Sequence, residues 1–170
     1  GSRGPPPRGG WTGGTWTGQT STLQVYGAAN FSLPTSLSFT PNDILINCTP
    51  GTVEISFPDL IGAGGTLTVT SGVAKLLGGL NYAKDVVLNG GTINCFGASM
   101  QFAVDRNWTH TSGVFTAGTG TVILINTGMD GTISGATTTT FNNVTIVKNG
   151  NSVYWNNGST VSGTLLLSFG

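Results

Sequence analysis

Short runs of alternating apolar and polar residues, separated by turn residues, extend along most of this chain. The clearest run is Thr66-Leu67-Thr68-Val69-Thr70, which predicts a strand with its apolar side chains buried and its threonines facing outward. The same reasoning predicts strands at 15–17, 22–26, 36–40, 43–47, 53–57, 66–70, 85–89, 92–95, 100–104, 114–116, 121–126, 132–134, 139–141, 144–147, 152–155 and 164–168. Segment 73–80 could hold a single helical turn, limited by Gly72, Gly78 and Gly79. We therefore expect an all-β protein.

A Gly-Thr-apolar unit recurs through the pattern. It begins at Gly51, Gly65, Gly91, Gly120, Gly131 and Gly163. Short strands with a repeated unit are typical of a β-solenoid, in which each turn of chain adds one rung to several parallel sheets. In that fold we expect the glycine at a corner, the threonine at the start of a rung and the next residue in the core. A β-sandwich is the alternative.

Three blocks of the chain also resemble later blocks in the same order. Segments 14–25, 44–55 and 65–72 align with 113–124, 144–155 and 163–170, at offsets close to 100 residues. This predicts an internal duplication within one continuous solenoid, with a first superrepeat at 11–107 and an incomplete second one at 108–170. Residues 1–10 contain Pro5-Pro6-Pro7 and form either an extended arm or a cloning remnant.

The second copy carries a family resemblance. Segments 107–109, 113–122, 131–135 and 140–146 are similar to the β-helical repeat regions of large prokaryotic surface proteins, the filamentous-haemagglutinin-like and autotransporter-passenger-like adhesins. The resemblance implies a right-handed parallel β-helix. It also implies a secreted or cell-surface protein that serves as a stalk, a fibre or an adhesive surface.

Composition narrows the range of partners. Charged residues make up 7% of the chain and the formal net charge is zero, so Thr, Ser, Asn and Gly must form the surface. No basic stripe exists for nucleic acid or anionic membranes, and the apolar runs are far shorter than the roughly 20 residues of a membrane span. We expect an extracellular or cell-surface location, with no nucleic-acid binding and no membrane insertion.

The candidate catalytic groups are sparse. The carboxylates of Asp43, Glu54, Asp59, Asp85, Asp105 and Asp130 are scattered singly, whereas glycoside hydrolysis requires two that face one bond. Asp105-Arg106 with His110 is the remaining constellation, and a local ion pair beside a surface histidine is the favoured interpretation of it. Two cysteines and one histidine do not make a zinc site. We predict no enzyme activity, no catalytic residue, no metal and no cofactor.

Other side chains have both structural and functional interpretations. Cys48 and Cys95 could form a disulfide or be two small buried side chains. Trp11, Trp16, Trp108 and Trp155 could stack on sugars, but their equivalent positions in the two copies favour packing. Candidate glycosylation sequons lie at Asn30, Asn47, Asn107, Asn143 and Asn157.

The ends of a solenoid expose unpaired backbone groups that natural proteins cover. Here the last stretch is apolar and uncharged, so an assembly interface is expected at Pro5, Pro6, Pro7, Trp11, Leu165, Leu166, Leu167 and Phe169. The partner would be a further copy stacked head to tail, or further coils of a longer chain, with cell-surface glycans as a candidate ligand. The function expected is a non-enzymatic structural protein, as a filament or part of a fibrous adhesin. Alternatives are a carbohydrate-binding or polysaccharide-degrading β-helix and a virion fibre protein.

Overall fold

The computed structural model of the chain describes residues 22–27, 30–32, 41–55, 65–97, 99–125, 128–148 and 150–169. These residues form thirteen strands and no helix. The strands are β1 (Thr22–Tyr26), β2 (Phe31–Ser32), β3 (Asp43–Ile55), β4 (Thr66–Leu77), β5 (Leu80–Phe96), β6 (Gln101–Thr116), β7 (Thr121–Leu124), β8 (Gly131–Ser134), β9 (Thr140–Phe141), β10 (Asn143–Lys148), β11 (Val153–Trp155), β12 (Thr160–Val161) and β13 (Leu165–Phe169). The predictions for 1–10, Trp11, 15–17 and 36–40 lie outside the described residues.

Every pairing among the described strands is parallel, and these pairings define a solenoid of about six turns with three faces. Face 1 stacks 22–26, 43–47, 66–69, 85–88, 107–109, 131–134 and 153–155. Face 2 stacks 31–32, 52–55, 73–77, 92–96 and 114–116, and a separate pair, 140–141 with 160–161, packs Phe141 on Phe115. Face 3 stacks 80–83, 101–104, 121–124, 143–148 and 165–169. The β-solenoid prediction is confirmed. The β-sandwich alternative is wrong, because sandwich sheets are antiparallel.

The structural repeat is one coil of roughly twenty residues. On face 1, Leu67 pairs with Val86 nineteen residues later, and Trp108 pairs with Ile133 twenty-five residues later. The sequence offset of about 100 joins Ile44 on face 1 to Val144 on face 3, so the aligned blocks occupy different faces. Strand β6 also runs without a break through residues 107 and 108, where the two superrepeats were expected to meet.

The buried apolar residues of the described coils form one continuous core. In five of the six Gly-Thr-apolar units the third residue is fully or almost fully buried, namely Val53, Leu67, Ile93, Val122 and Ile133. The threonines before them are half-buried, as expected for outward-facing rung positions. The interpretation of this unit as the start of a rung is confirmed. It occurs on all three faces, which explains why blocks from different faces align in sequence.

Segment 73–77 is strand and not helix. Ala74 and Leu76 point into the core, and Ala74 pairs with Val53 on one side and Ile93 on the other. The prediction of a helical turn is wrong because ladder pairing with both neighbouring coils outweighs local preference.

Candidate functional site

Most described aspartates serve the corners of the solenoid. The Asp43 carboxylate accepts a hydrogen bond from the Thr66 backbone N–H at 2.8 Å, one coil later. Asp130 accepts in the same way from the Ser152 N–H at 2.7 Å. The amide oxygens of Asn30 and Asn143 and the carboxylate of Asp85 play the same part toward Thr52, Thr164 and Asn107. These side chains satisfy backbone donors where the ladder turns a corner, which is a structural role.

Asp85 has an additional charged partner. It forms a two-point ion pair with Arg106, whose Nε lies 3.0 Å from the Asp85 carboxylate, and it accepts from the Asn107 side chain at 2.8 Å. Burial alone would raise the pKa of Asp85, but the hydrogen bond and charge of Arg106, helped by Asn107, lower it on balance. The same hydrogen bond raises the pKa of Arg106, and the charge of the buried Asp105 adds to this.

The prediction that His110 lies on the surface is wrong. His110 is 2% exposed, and its ring contacts Thr139 Oγ1 at 2.9 Å and the Gly113 carbonyl at 3.2 Å. Trp108 Nε1 donates to the same Thr139 hydroxyl at 3.0 Å. With its hydrogen on Nε2, the imidazole donates to Gly113 and accepts from Thr139, so each of these buried polar groups has a partner. His110 thus ties face 1 to the next coil.

This network borders an aromatic column. Trp108 is fully buried and lies edge-on to Phe115 and Phe141, with ring centroids at 4.8 and 5.1 Å. Trp155 packs on Phe141 from the next coil. The prediction that Trp108 and Trp155 are packing residues is confirmed. Trp16 lies outside the described residues.

The two cysteines are separate core residues. Cys48 and Cys95 are both free and buried, and Cys95 pairs in the ladder with Leu76, not with Cys48. The Cys48 thiol donates to the Val25 carbonyl at 3.2 Å. Burial raises the pKa of Cys95 to about 12. The disulfide interpretation is wrong, and the interpretation as small buried side chains is confirmed.

The sequons divide into two groups. Asn30 and Asn47 are exposed. The side-chain amides of Asn107, Asn143 and Asn157 are half-buried and donate across coils to Asp85, Thr119 and Thr137. Glycosylation attaches the sugar to the amide nitrogen, which must therefore be accessible, so the exposed Asn30 and Asn47 offer the better acceptors.

Face 2 carries a shallow groove of about 600 Å³ on its outer surface. Outward side chains from four consecutive rungs line it, among them Asn30, Ser32, Glu54, Lys75, Asn94 and Phe96. Lys75 forms an ion pair with Glu54 at 3.0 Å and lies 4.5 Å from the centroid of the Phe96 ring. Its hydrogen bond to Glu54, together with one from Ser32, lowers the pKa of Glu54. Sequence reasoning missed this groove, since only the coil length brings these residues together.

The last rung is a second unusual surface. Leu165 and Leu167 pair with Val144 and Ile146, which are 1% and 8% exposed, yet both leucines are 51% exposed. Leu166, on the outer side, is 54% exposed. Phe169 lies in the same strand. Three of the predicted interface residues are thus apolar and accessible, while Pro5, Pro6, Pro7 and Trp11 lie outside the described residues.

The described part of the chain holds no group of three or more side chains that could bind a metal ion. Within the same ranges there is no helix with the length and apolar character that a membrane crossing requires. Comparison of the chain with protein-family models, curated proteins and solved structures gives no significant match.

Proposed function

We propose that this chain is a non-enzymatic extracellular structural protein whose solenoid is continued by further β-structure stacked on strand β13. The added structure is another copy, which gives a head-to-tail filament, or further coils of a fibrous surface adhesin. One observation carries the proposal. The buried column Phe102–Val122–Val144 ends at Leu165, a core position that is half exposed.

The contact that would cover this rung is already present inside the molecule. Strand β10 pairs with β13 in parallel over five residues, from Val144–Leu165 to Lys148–Phe169. A further rung would repeat the pairing on the other edge of β13 and cover both inward leucines. Covering the exposed half of one leucine stabilises by about 1 kcal/mol. Because the two surfaces involved differ, the contact is heterologous, and stacking along the solenoid axis does not close a ring, so it extends into an open filament.

The remaining features support a structural role. Asp43, Asp85 and Asp130 make inter-coil corner bonds, and His110 is enclosed in a buried network. Low charge, exposed sequons at Asn30 and Asn47, and the resemblance to surface adhesins support an extracellular location.

The test compares the chain with a Leu165→Lys, Leu167→Lys double variant by native mass measurement and negative-stain electron microscopy. Met129→Lys is the matched control, because Met129 is also 51% exposed but lies on a different part of the chain. We expect filaments or concentration-dependent oligomers that the double variant abolishes and the control retains. Assembly should change little with sodium chloride, since few charges are involved.

A monomeric result separates the two forms of the proposal. If the chain alone stays monomeric but binds a hydrophobic dye that the double variant no longer binds, the fibre-segment form stands and the filament form fails. A monomer whose dye binding is unaffected by the substitutions overturns both.

A further inference from the structure

The groove on face 2 combines amide, hydroxyl, charged and aromatic side chains on one outer surface. It lies on outward positions, where Ser32, Glu54, Lys75 and Asn94 follow one another in register on consecutive rungs. We infer that this groove binds a neutral oligosaccharide lying along the solenoid axis. Such binding is independent of stacking at Leu165–Phe169, which is on another face.

The shape of the groove suits a linear ligand. It crosses four rungs, and rungs lie about 4.8 Å apart, so it extends over about 14 Å. An elongated groove with an equivalent position on every rung suits a ligand that is itself a chain of similar units. A linear glycan has this form, whereas a single compact metabolite would fill only part of the groove.

The chemistry of the lining matches that of sugars. Sugars present hydroxyl groups that both donate and accept hydrogen bonds, together with apolar C–H faces. The amide nitrogens of Asn30 and Asn94 can donate to a sugar hydroxyl. The Ser32 hydroxyl, which donates to Glu54 at 3.1 Å, can still accept. Phe96 is 57% exposed, and its contact with Lys75 orients the ring at the side of the groove. An exposed aromatic ring beside polar groups can pack on a sugar face.

The charges of the groove favour a neutral ligand. Glu54 and Lys75 neutralise each other, and the other lining residues are uncharged. An anionic ligand would have to displace Glu54 from Lys75 to find a cationic partner, so an acidic glycan and a nucleic acid are both disfavoured.

An extended peptide is a poorer fit. Peptides that bind as an added strand need the unpaired edge of a sheet. The groove lies over face 2, where residues 53–54 and 73–76 are paired with the rungs on both sides. The backbone there has no free ladder positions to offer.

The experiment measures binding of the chain, made in a host without N-glycosylation, to gluco-, manno-, galacto- and xylo-oligosaccharides by calorimetry. Polygalacturonate serves as the acidic comparison. The variants are Phe96→Ala, Phe96→Tyr and Glu54→Gln, and Tyr154→Ala is the matched control because Tyr154 is 50% exposed on face 1. Thermal unfolding of each variant checks that the fold is kept.

We expect at least one neutral oligosaccharide to bind. Phe96→Ala should weaken it about tenfold, the equivalent of roughly 1.4 kcal/mol. Phe96→Tyr should restore the affinity, Glu54→Gln should weaken it, and Tyr154→Ala should have no effect. Binding to none of the neutral probes, binding only to polygalacturonate, or equal losses from Phe96→Ala and Tyr154→Ala would each overturn the inference. The assembly variants at Leu165 and Leu167 should bind normally, so the two proposals can fail separately.

Discussion

The corner between faces 1 and 2 depends on a column of glycines. At Gly113, φ is +98°, and a Cβ atom would lie 1.9 Å from the backbone oxygen of Gly90 in the preceding coil. Gly72, Gly90 and Gly135 show the same combination, with an added Cβ at 1.9–2.1 Å from a carbonyl oxygen of the coil before. The corner therefore requires glycine twice, once for its backbone conformation and once for space.

Substituting Gly113 by alanine tests this reasoning, and Gly97→Ala is its control. Gly97 has a similar φ of +111°, but an added Cβ there would have no atom within 4 Å. The positive φ costs about 1–2 kcal/mol in either variant, offset by roughly 0.4–1 kcal/mol from the less flexible unfolded chain. At Gly113 the methyl group also forces two coils apart, which adds about 1–3 kcal/mol. We expect Gly113→Ala to destabilise by about 2–4 kcal/mol and Gly97→Ala by about 1 kcal/mol or less.

The assay is urea unfolding followed by fluorescence, since Trp108 lies in the core close to Phe115 on the same strand. Circular dichroism should be measured in parallel, because solenoids can unfold in parts and a single midpoint would then mislead. Equal destabilisation by the two substitutions would refute the close approach of the coils at this corner. So would a Gly113→Ala protein as stable as the parent.

Three further predictions concern the core and its polar links, at Cys95, Asp85 and Thr139. Because burial raises the pKa of Cys95 from 9.0 to about 12, its protonated thiol contributes fully to stability below pH 9, and this contribution is lost as the pH rises toward 12. Cys95→Ala should therefore reduce the loss of stability at alkaline pH, and an unchanged pH profile of the unfolding free energy would contradict this. Asp85→Asn removes the charge that Arg106 pairs with and should destabilise the fold by about 1–2 kcal/mol at pH 7. Asp130→Asn keeps a side-chain oxygen that can accept from the Ser152 N–H, so it should have little effect. Since the pKa of Asp85 is lowered, that difference should shrink as the pH falls below the ordinary value of 3.8, and a constant difference would refute it. Thr139→Val removes the hydroxyl that Trp108 and His110 share as a partner, and it should destabilise the fold by about 2–4 kcal/mol. Thr139→Ser keeps the hydroxyl and should be tolerated. Equal losses of stability in denaturant unfolding would contradict the network.

The fold could be predicted from the chain because its signals are local. Alternation places single strands, and a Gly-Thr-apolar unit marks the start of a rung wherever it occurs, as Leu67, Ile93 and Val122 show. The length of the coil is not a local property. It is set by the corners and varies, since Leu67 and Val86 are nineteen residues apart while Trp108 and Ile133 are twenty-five apart. Because the Gly-Thr-apolar unit occurs on all three faces, segments from different faces resemble each other in sequence as closely as segments from the same face.

The candidate sites are harder to predict, because the coil length decides which residues become neighbours and the sequence does not show that length. The apolar last rung at Leu165–Leu167 is contiguous in the chain, so the sequence alone indicates an apolar segment there, and the structure shows that its side chains are half exposed. The groove joins Glu54, Lys75 and Phe96 across three coils, and no pattern in the sequence shows that they are neighbours. His110 was misplaced because a lone polar residue gives no sign of its partner, Thr139, which lies 29 residues later.

The corner bonds show why so few charges suffice for this fold. Asp43 and Asn143 lie on different faces, yet each accepts a hydrogen bond from a threonine N–H one coil later, at 2.8 and 2.9 Å. A neutral amide and a carboxylate are equivalent there, so the bond depends on the side-chain oxygen and not on its charge. Apart from the ion pairs Glu54–Lys75 and Asp85–Arg106, the contacts described between coils are ladder bonds, corner hydrogen bonds from Asp and Asn side chains, and apolar columns, none of which salt screens strongly. A copy stacked on Leu165–Phe169 would use the same contacts, and its assembly should therefore share the salt insensitivity of the coils themselves.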